Sequence, residues 1–155
     1  MQLSGQRALV TGAGRGIGRA IAIAYAKAGA DVAVLARTTA EIDNTAEEIR
    51  QAGRRSIAIT CDITEFHEVE AAIQQVSQQL GGLEILVNNA GGGQERTNVG
   101  EDDPQQWVHV VEVNLIGTYY VSRAALPLLK QNGGTIINVS SGMAHQSRSG
   151  NSSYN

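Results

Sequence analysis

The chain has 155 residues, enough for one hydrophobic core that buries about two-thirds of the unfolded surface and too few for two comfortable ones. Its 15 acidic and 12 basic side chains are interspersed and leave a net charge of -3, which gives no field for nucleic acid and no attraction to an anionic membrane. The single cysteine, Cys61, can form no internal disulfide and has no Cys/His neighbours for zinc, so no metal site is expected and the thiol reads as buried on a strand.

Met1 leads directly towards a first strand with no basic-then-apolar leader, and no apolar run approaches twenty residues, so a cytoplasmic protein is expected. The apolar run Ala8 to Val10, the glycine-rich stretch Thr11-Gly-Ala-Gly-Arg-Gly-Ile-Gly18 and the Ala/Ile-rich segment Arg19 to Ala28, closed by Gly29, read as buried strand, tight turn and helix. At such a turn the free N–H groups of the helix point outward with the positive end of its dipole behind them. Gly12, Gly16 and Gly18 remove the side chains that would keep a phosphate away. The spacing is T-G-x-x-x-G-x-G rather than the commoner G-x-G-x-x-G.

Asp31 to Ala36 is a continuous apolar run of the kind found in a parallel strand covered on both faces. Thr38 with Glu41 predicts a capping box for a second helix, on which Ile42, Ala46 and Ile49 form the buried stripe up to Gly53. Ser56 to Asp62 reads as a third strand, and Thr64 as the cap of a helix that buries Val69, Ile73, Val76 and Leu80 before Gly81-Gly82. Leu83 to Asn88 is a fourth strand, opening into Asn89-Ala-Gly-Gly-Gly93 and a polar loop. Asp103-Pro104, with Gln106 behind them, starts a long helix whose inner face is expected to carry Trp107, Val111, Leu115, Thr118, Ser122, Ala125 and Leu129. Pro127 should kink or fray its last turn before Gly133-Gly134. Thr135 to Ser140 is the fifth strand, followed by a Gly/Ser-rich stretch to Tyr154-Asn155.

Strands separated by helices predict an α/β fold: a doubly wound parallel sheet (Rossmann fold) in the order 3-2-1-4-5, forming one dinucleotide-binding domain over residues 1–155. The ligand crevice is expected at the switch between strands 1 and 4, beyond their carboxyl ends. Asn114, seven residues after Trp107, falls on the buried face, where an amide is costly unless bonded.

These pieces together resemble the short-chain dehydrogenases/reductases: the glycine turn Thr11 to Gly18, Asp62 after the third strand, Asn88-Asn-Ala-Gly91 after the fourth, Asn114, Ser141 after the fifth strand, and Tyr154 thirteen residues on. The resemblance implies an oxidoreductase that moves a hydride between a nicotinamide cofactor and an alcohol/carbonyl substrate, 3-oxoacyl reductase-like or related. It also implies a homo-oligomer, dimer or tetramer. Tyr154 would exchange a proton with the substrate oxygen, Ser141 would polarise that oxygen, and Asn114 would hold a water of the proton relay. Ser140 is the neighbouring alternative, disfavoured by strand alternation. The cofactor would lie against Gly12, Gly14, Arg15, Gly16, Ile17, Gly18, Arg37, Asp62, Ile63, Asn89, Ala90 and Gly91, with Asp62 near the adenine amino group.

Ala36 and Arg37, rather than an acid, stand at the end of the second strand, and Arg15 adds a second cation, so NADP is favoured over NAD. Glu95, Arg96, His145, Gln146 and Arg148 lie on loops that could border the substrate. The family's lysine would fall at position 158, beyond Asn155, and its last strands are likewise missing. An impaired catalyst is therefore expected, and the alternative is a non-catalytic dinucleotide-binding or assembly module.

Overall fold

A computed structural model describes residues 1–93, 97–146 and 148–154. Five strands, β1 (Arg7–Thr11), β2 (Asp31–Ala36), β3 (Ser56–Thr60), β4 (Ile85–Asn88) and β5 (Thr135–Asn138), form one parallel sheet in the order 3-2-1-4-5. Between them run α1 (Gly16–Ala28), α2 (Thr39–Gln51), α3 (Phe66–Leu80), α4 (Pro104–Val111) and α5 (Thr118–Asn132).

Side chains alternate across a strand, so an all-apolar strand must be covered on both faces. Leu9, Leu35 and Leu86 point to one side and pack with Val69 and Val76 of α3 and Val121 and Leu129 of α5. Val10, Val34 and Val87 point to the other side and pack with Ala22 of α1 and Ile42, Ala46 and Ile49 of α2. The small alanines of α1 let that helix lie close to the sheet beside the glycine turn. β1 is flanked by β2 and β4, so the two halves of the sheet diverge from its carboxyl end.

The edges of the elements depart from the sequence expectations in instructive places. β3 ends at Thr60, because β2, its only neighbour, ends at Ala36, which pairs with Thr60. Cys61 and Asp62 therefore lie just past the strand, although Cys61 is buried as expected. Thr64 does not cap α3: Glu65 holds that position, and the Thr64 hydroxyl donates to Asp62 Oδ1 at 2.8 Å. Thr38 does precede α2, but its hydroxyl makes no capping bond, so the expected box with Glu41 is not formed. β4 and β5 begin or end inside the expected runs, at Ile85 and Asn138.

The long helix is interrupted by a π-helical turn over Glu112–Gly117, joining α4 to α5. A π turn holds more residues than an α turn, so a stripe projected at the α period goes out of phase through it. Leu115, expected inside, is 63% exposed, while Ala125 and Leu129 beyond the turn are buried and are joined by Val121. Pro127 neither ends nor frays the helix, which continues to Asn132. The proline is on the exposed side, where the carbonyl that lost its donor can be solvated.

Polar clusters tie the opposite end of the sheet. Arg7 of β1 forms an ion pair with Glu84, which also accepts from Asn132 Nδ2 at 3.1 Å. Asp31 accepts from Arg54 at 2.6 Å and Arg55 at 2.8 Å. The Arg7 hydrogen bond is the main reason the Glu84 carboxyl lies below its ordinary value. At Asp31 burial pushes upward, but the bonds from Arg55 and the charge of Arg54 outweigh it and leave that carboxyl lowered too.

Candidate active site

Beyond the carboxyl ends of β1 and β4 lies a crevice of about 930 Å³. Its first wall is the glycine turn. No side chain caps α1, so the N–H groups of its first turn face the crevice with the helix dipole behind them. Gly16 has φ +54, and a Cβ there would meet nothing within 4 Å, so the backbone is bare on its open side. At Gly18 the reason for glycine is different: a Cβ would collide with the Gly12 carbonyl and the Asn89 amide. The turn is both an open anion cradle and a tight joint against the loop after β4.

That joint is built by Thr11 and Asn89. Thr11 Oγ1 accepts from the backbone N–H of Asn89 at 3.0 Å and of Ala90 at 2.9 Å. In return Asn89 Nδ2 donates to the carbonyls of Thr11 at 2.9 Å and Gly12 at 3.3 Å. Next to them Asn88 donates to Ser122 Oγ at 2.9 Å and Asn138 Oδ1 at 2.8 Å, tying β4 to α5 and β5. The Asn88 Oδ1 atom is buried and has no partner among the described residues.

Asn114 sits in the π turn, half buried, with its amide committed to the loop. Nδ2 donates to the carbonyls of Val110 at 2.7 Å and Gly92 at 2.8 Å, and Oδ1 accepts from Gly92 N at 3.2 Å. Its bonds thus hold the stretch after Gly91 in place, Oδ1 keeps capacity for a second hydrogen bond, and Asn114 lines the crevice.

At the end of the crevice beyond β3, Asp62 Oδ1 accepts from Thr64 N at 3.0 Å and from its hydroxyl, and Arg37 Nη1 stands 3.8 Å from Oδ2. Burial pushes the Asp62 carboxyl upward, yet the Thr64 hydrogen bonds, with the charges of Arg37 and His109, leave it below the ordinary range. Arg37 is 64% exposed and Arg15 is exposed, and both line the crevice. Ile17 is likewise exposed, whereas Ile63 is buried and packs against Gly117.

Ser141 follows β5 by three residues and starts a short 3₁₀ turn, where its Oγ accepts from Met143 N at 3.2 Å. Ser140 also lines the crevice: since β5 ends at Asn138, strand alternation does not separate the two serines as expected. Tyr154 lies over Gly93, and its segment is tied back by Trp107, whose indole donates to Ser152 Oγ at 3.0 Å. Trp107, read from the sequence as a core residue, is a brace for the Tyr154 segment. Every residue named for the cofactor or for chemistry, from Gly12 to Tyr154, lines this one crevice. Of the loop positions considered for the substrate, Glu95 and Arg96 lie outside the described residues, and His145, Gln146 and Arg148 are exposed.

Several lining residues were not foreseen as such, Thr118 and Glu41 among them, and neither was the role of Thr11 in the joint beside the crevice. A hydroxyl on the last residue of a strand before a glycine turn was the available signal for Thr11. Glu41 was masked by its reading as a capping partner. Among the described residues no group of three or more His, Cys, Asp or Glu side chains is placed to hold a metal, and no helix is long and apolar enough to cross a membrane.

A parallel sheet in the order 3-2-1-4-5 with helices on both faces and a bare helix N-terminus at its switch point is a Rossmann α/β fold. The model of the short chain dehydrogenase family matches residues 6–155. A short chain dehydrogenase of Monascus purpureus is 41% identical over 157 aligned positions, covering 97% of this chain and 54% of that protein. The 3-oxoacyl-(acyl-carrier-protein) reductase FabG of Staphylococcus aureus is 39% identical over 149, covering 95% and 60%. The crystal structure of carveol dehydrogenase from Mycobacterium avium in complex with NAD superposes with a TM-score of 0.94 at 26% identity, covering 99% of this chain and 60% of that one. The chain belongs to the short-chain dehydrogenase/reductase family, whose members are nicotinamide-dependent oxidoreductases. It spans between half and two-thirds of the length of these relatives.

Proposed function

We propose that this chain, as one dinucleotide-binding domain, holds a nicotinamide dinucleotide across the crevice and serves hydride transfer between it and an alcohol or carbonyl compound. The observation that carries this reading is convergence: residues from seven separate stretches, Gly12 to Gly18, Arg37, Asp62-Ile63, Asn89 to Gly91, Asn114, Ser141 and Tyr154, meet on one crevice. The free N–H groups at Gly16, Ile17 and Gly18 bind the pyrophosphate, with Gly12 and Gly14 keeping the approach open. Asp62 accepts from the adenine amino group, Ile63 packs beside the adenine, and the Asn89-Ala90-Gly91 backbone supports the middle of the dinucleotide.

Arg15 and Arg37 favour NADP over NAD, because a guanidinium binds phosphate through two hydrogen bonds as well as charge. When bound, the nicotinamide supplies or accepts the hydride. Tyr154 exchanges the accompanying proton with the substrate oxygen, Ser141 donates a hydrogen bond to that oxygen, and the spare lone pair of Asn114 receives a relay water. The substrate class resembles 3-oxoacyl compounds and related ketones, the assembly is a homodimer or homotetramer, and the protein works in the cytoplasm.

A second reading, binding without efficient turnover, is favoured by β5, whose four residues are all exposed although it leads into Ser141 three residues further on. An assay separates the two: NADPH oxidation on a panel of ketones, with and without Tyr154→Phe. Turnover abolished by the substitution supports catalysis, and NADPH binding without Tyr154-dependent turnover supports the second reading.

A further inference from the structure

The first turn of α2 brings a carboxylate onto the glycine turn. A Cβ built on Gly14 would lie 2.8 Å from both the Cβ and Oε2 of Glu41, so the acid covers the outer side of that glycine. Glu41 is half buried and lines the same end of the crevice as Arg15 and Arg37. Two other acids of α2 have arginine partners, Glu47 with Arg50 and Glu48 with Arg19, and Arg37 leans towards Asp62. Among the described residues the Glu41 carboxylate has no hydrogen-bond or ion-pair partner.

An ionised carboxylate can only accept hydrogen bonds, so a neutral diol suits it and a phosphate is repelled. We propose that Glu41 is a specificity-determining residue that accepts a ribose hydroxyl and opposes a 2′-phosphate. The preference set by Arg15 and Arg37 is thereby held to a modest ratio, and the site takes both NADPH and NADH. This rests on the dinucleotide reading above.

The test is calorimetric titration of NADPH and NADH into the wild type, Glu41→Gln and Glu41→Ala, with thermal melts to establish folding. Removing one negative charge near the phosphate should raise the NADPH-to-NADH affinity ratio about threefold to tenfold in both variants at low salt. The gain should shrink near 1 M salt, where the screening length falls to about 3 Å. A ratio within twofold of wild type in whichever variant folds, or a gain indifferent to salt, overturns the role of Glu41 and leaves dinucleotide binding standing. A wild type that binds neither nucleotide overturns both readings.

Discussion

Thr11 shows how much one hydroxyl can organise. It takes two backbone N–H groups of the loop after β4, and neither would have another partner in a buried joint. Thr11→Val should therefore cost about 1–3 kcal/mol, with Thr11→Ser recovering most of it, as read by denaturant melts. Dinucleotide affinity should fall with the valine, because the joint also sets the floor of the crevice. At Cys61, burial first and then the nearby Glu68 and Asp62 push the thiol up to about 12. A thiolate is the reactive form, so Cys61 should be inert to a thiol reagent at neutral pH until the chain is unfolded. Residue identity was legible where chemistry restricts the choice, as at Gly18, Asn89 and Asn114. It was not legible for Glu41 or Trp107, whose roles depend on which distant segment folds against them.

At the scale of elements, the α2 and α3 stripes were readable because each helix keeps one period throughout. Ile42, Ala46 and Ile49, and Val69, Ile73, Val76 and Leu80, are all buried. The same reasoning failed across the long helix because a π turn changes the phase at Glu112, and nothing local in the sequence marks it. The turn coincides with Asn114, whose bonds to Val110 and Gly92 tie helix and loop together. Beyond it Leu129 is buried against the α3 side of the sheet, and Leu129→Ala should destabilise by about 2–5 kcal/mol in a denaturant melt. Leu115→Ala, on the exposed side, should stay within about 0.5 kcal/mol.

For the whole molecule, the strand order followed from the alternation of strands and helices, while the exact strand ends depended on neighbours in the sheet. Asp31, Asp62 and Glu84 all have lowered carboxyls in the fold. Their stabilising contribution is therefore present above the ordinary carboxylate range near 4 and is lost as pH falls through the lowered values. Melting temperature should drop steeply below about pH 4, and less so in Glu84→Gln, which already lacks one of these charges. Ile136, Ile137 and Val139 on or beside β5, with Val108, Tyr119 and Leu126 on the long helix, are large apolar groups left exposed. Sedimentation at micromolar concentration should show dimers or larger species, and a monomer there would contradict that expectation.

The proposed dinucleotide crevice carries Arg15 and Arg37 on its lining. The most direct test of that reading is a calorimetric titration of NADPH and NADH into the wild type and Arg37→Asp. The predicted result is saturable one-to-one binding of both, tighter for NADPH, with the preference reversed by the substitution. Binding of neither nucleotide, or a preference that Arg37→Asp leaves unchanged, would contradict it.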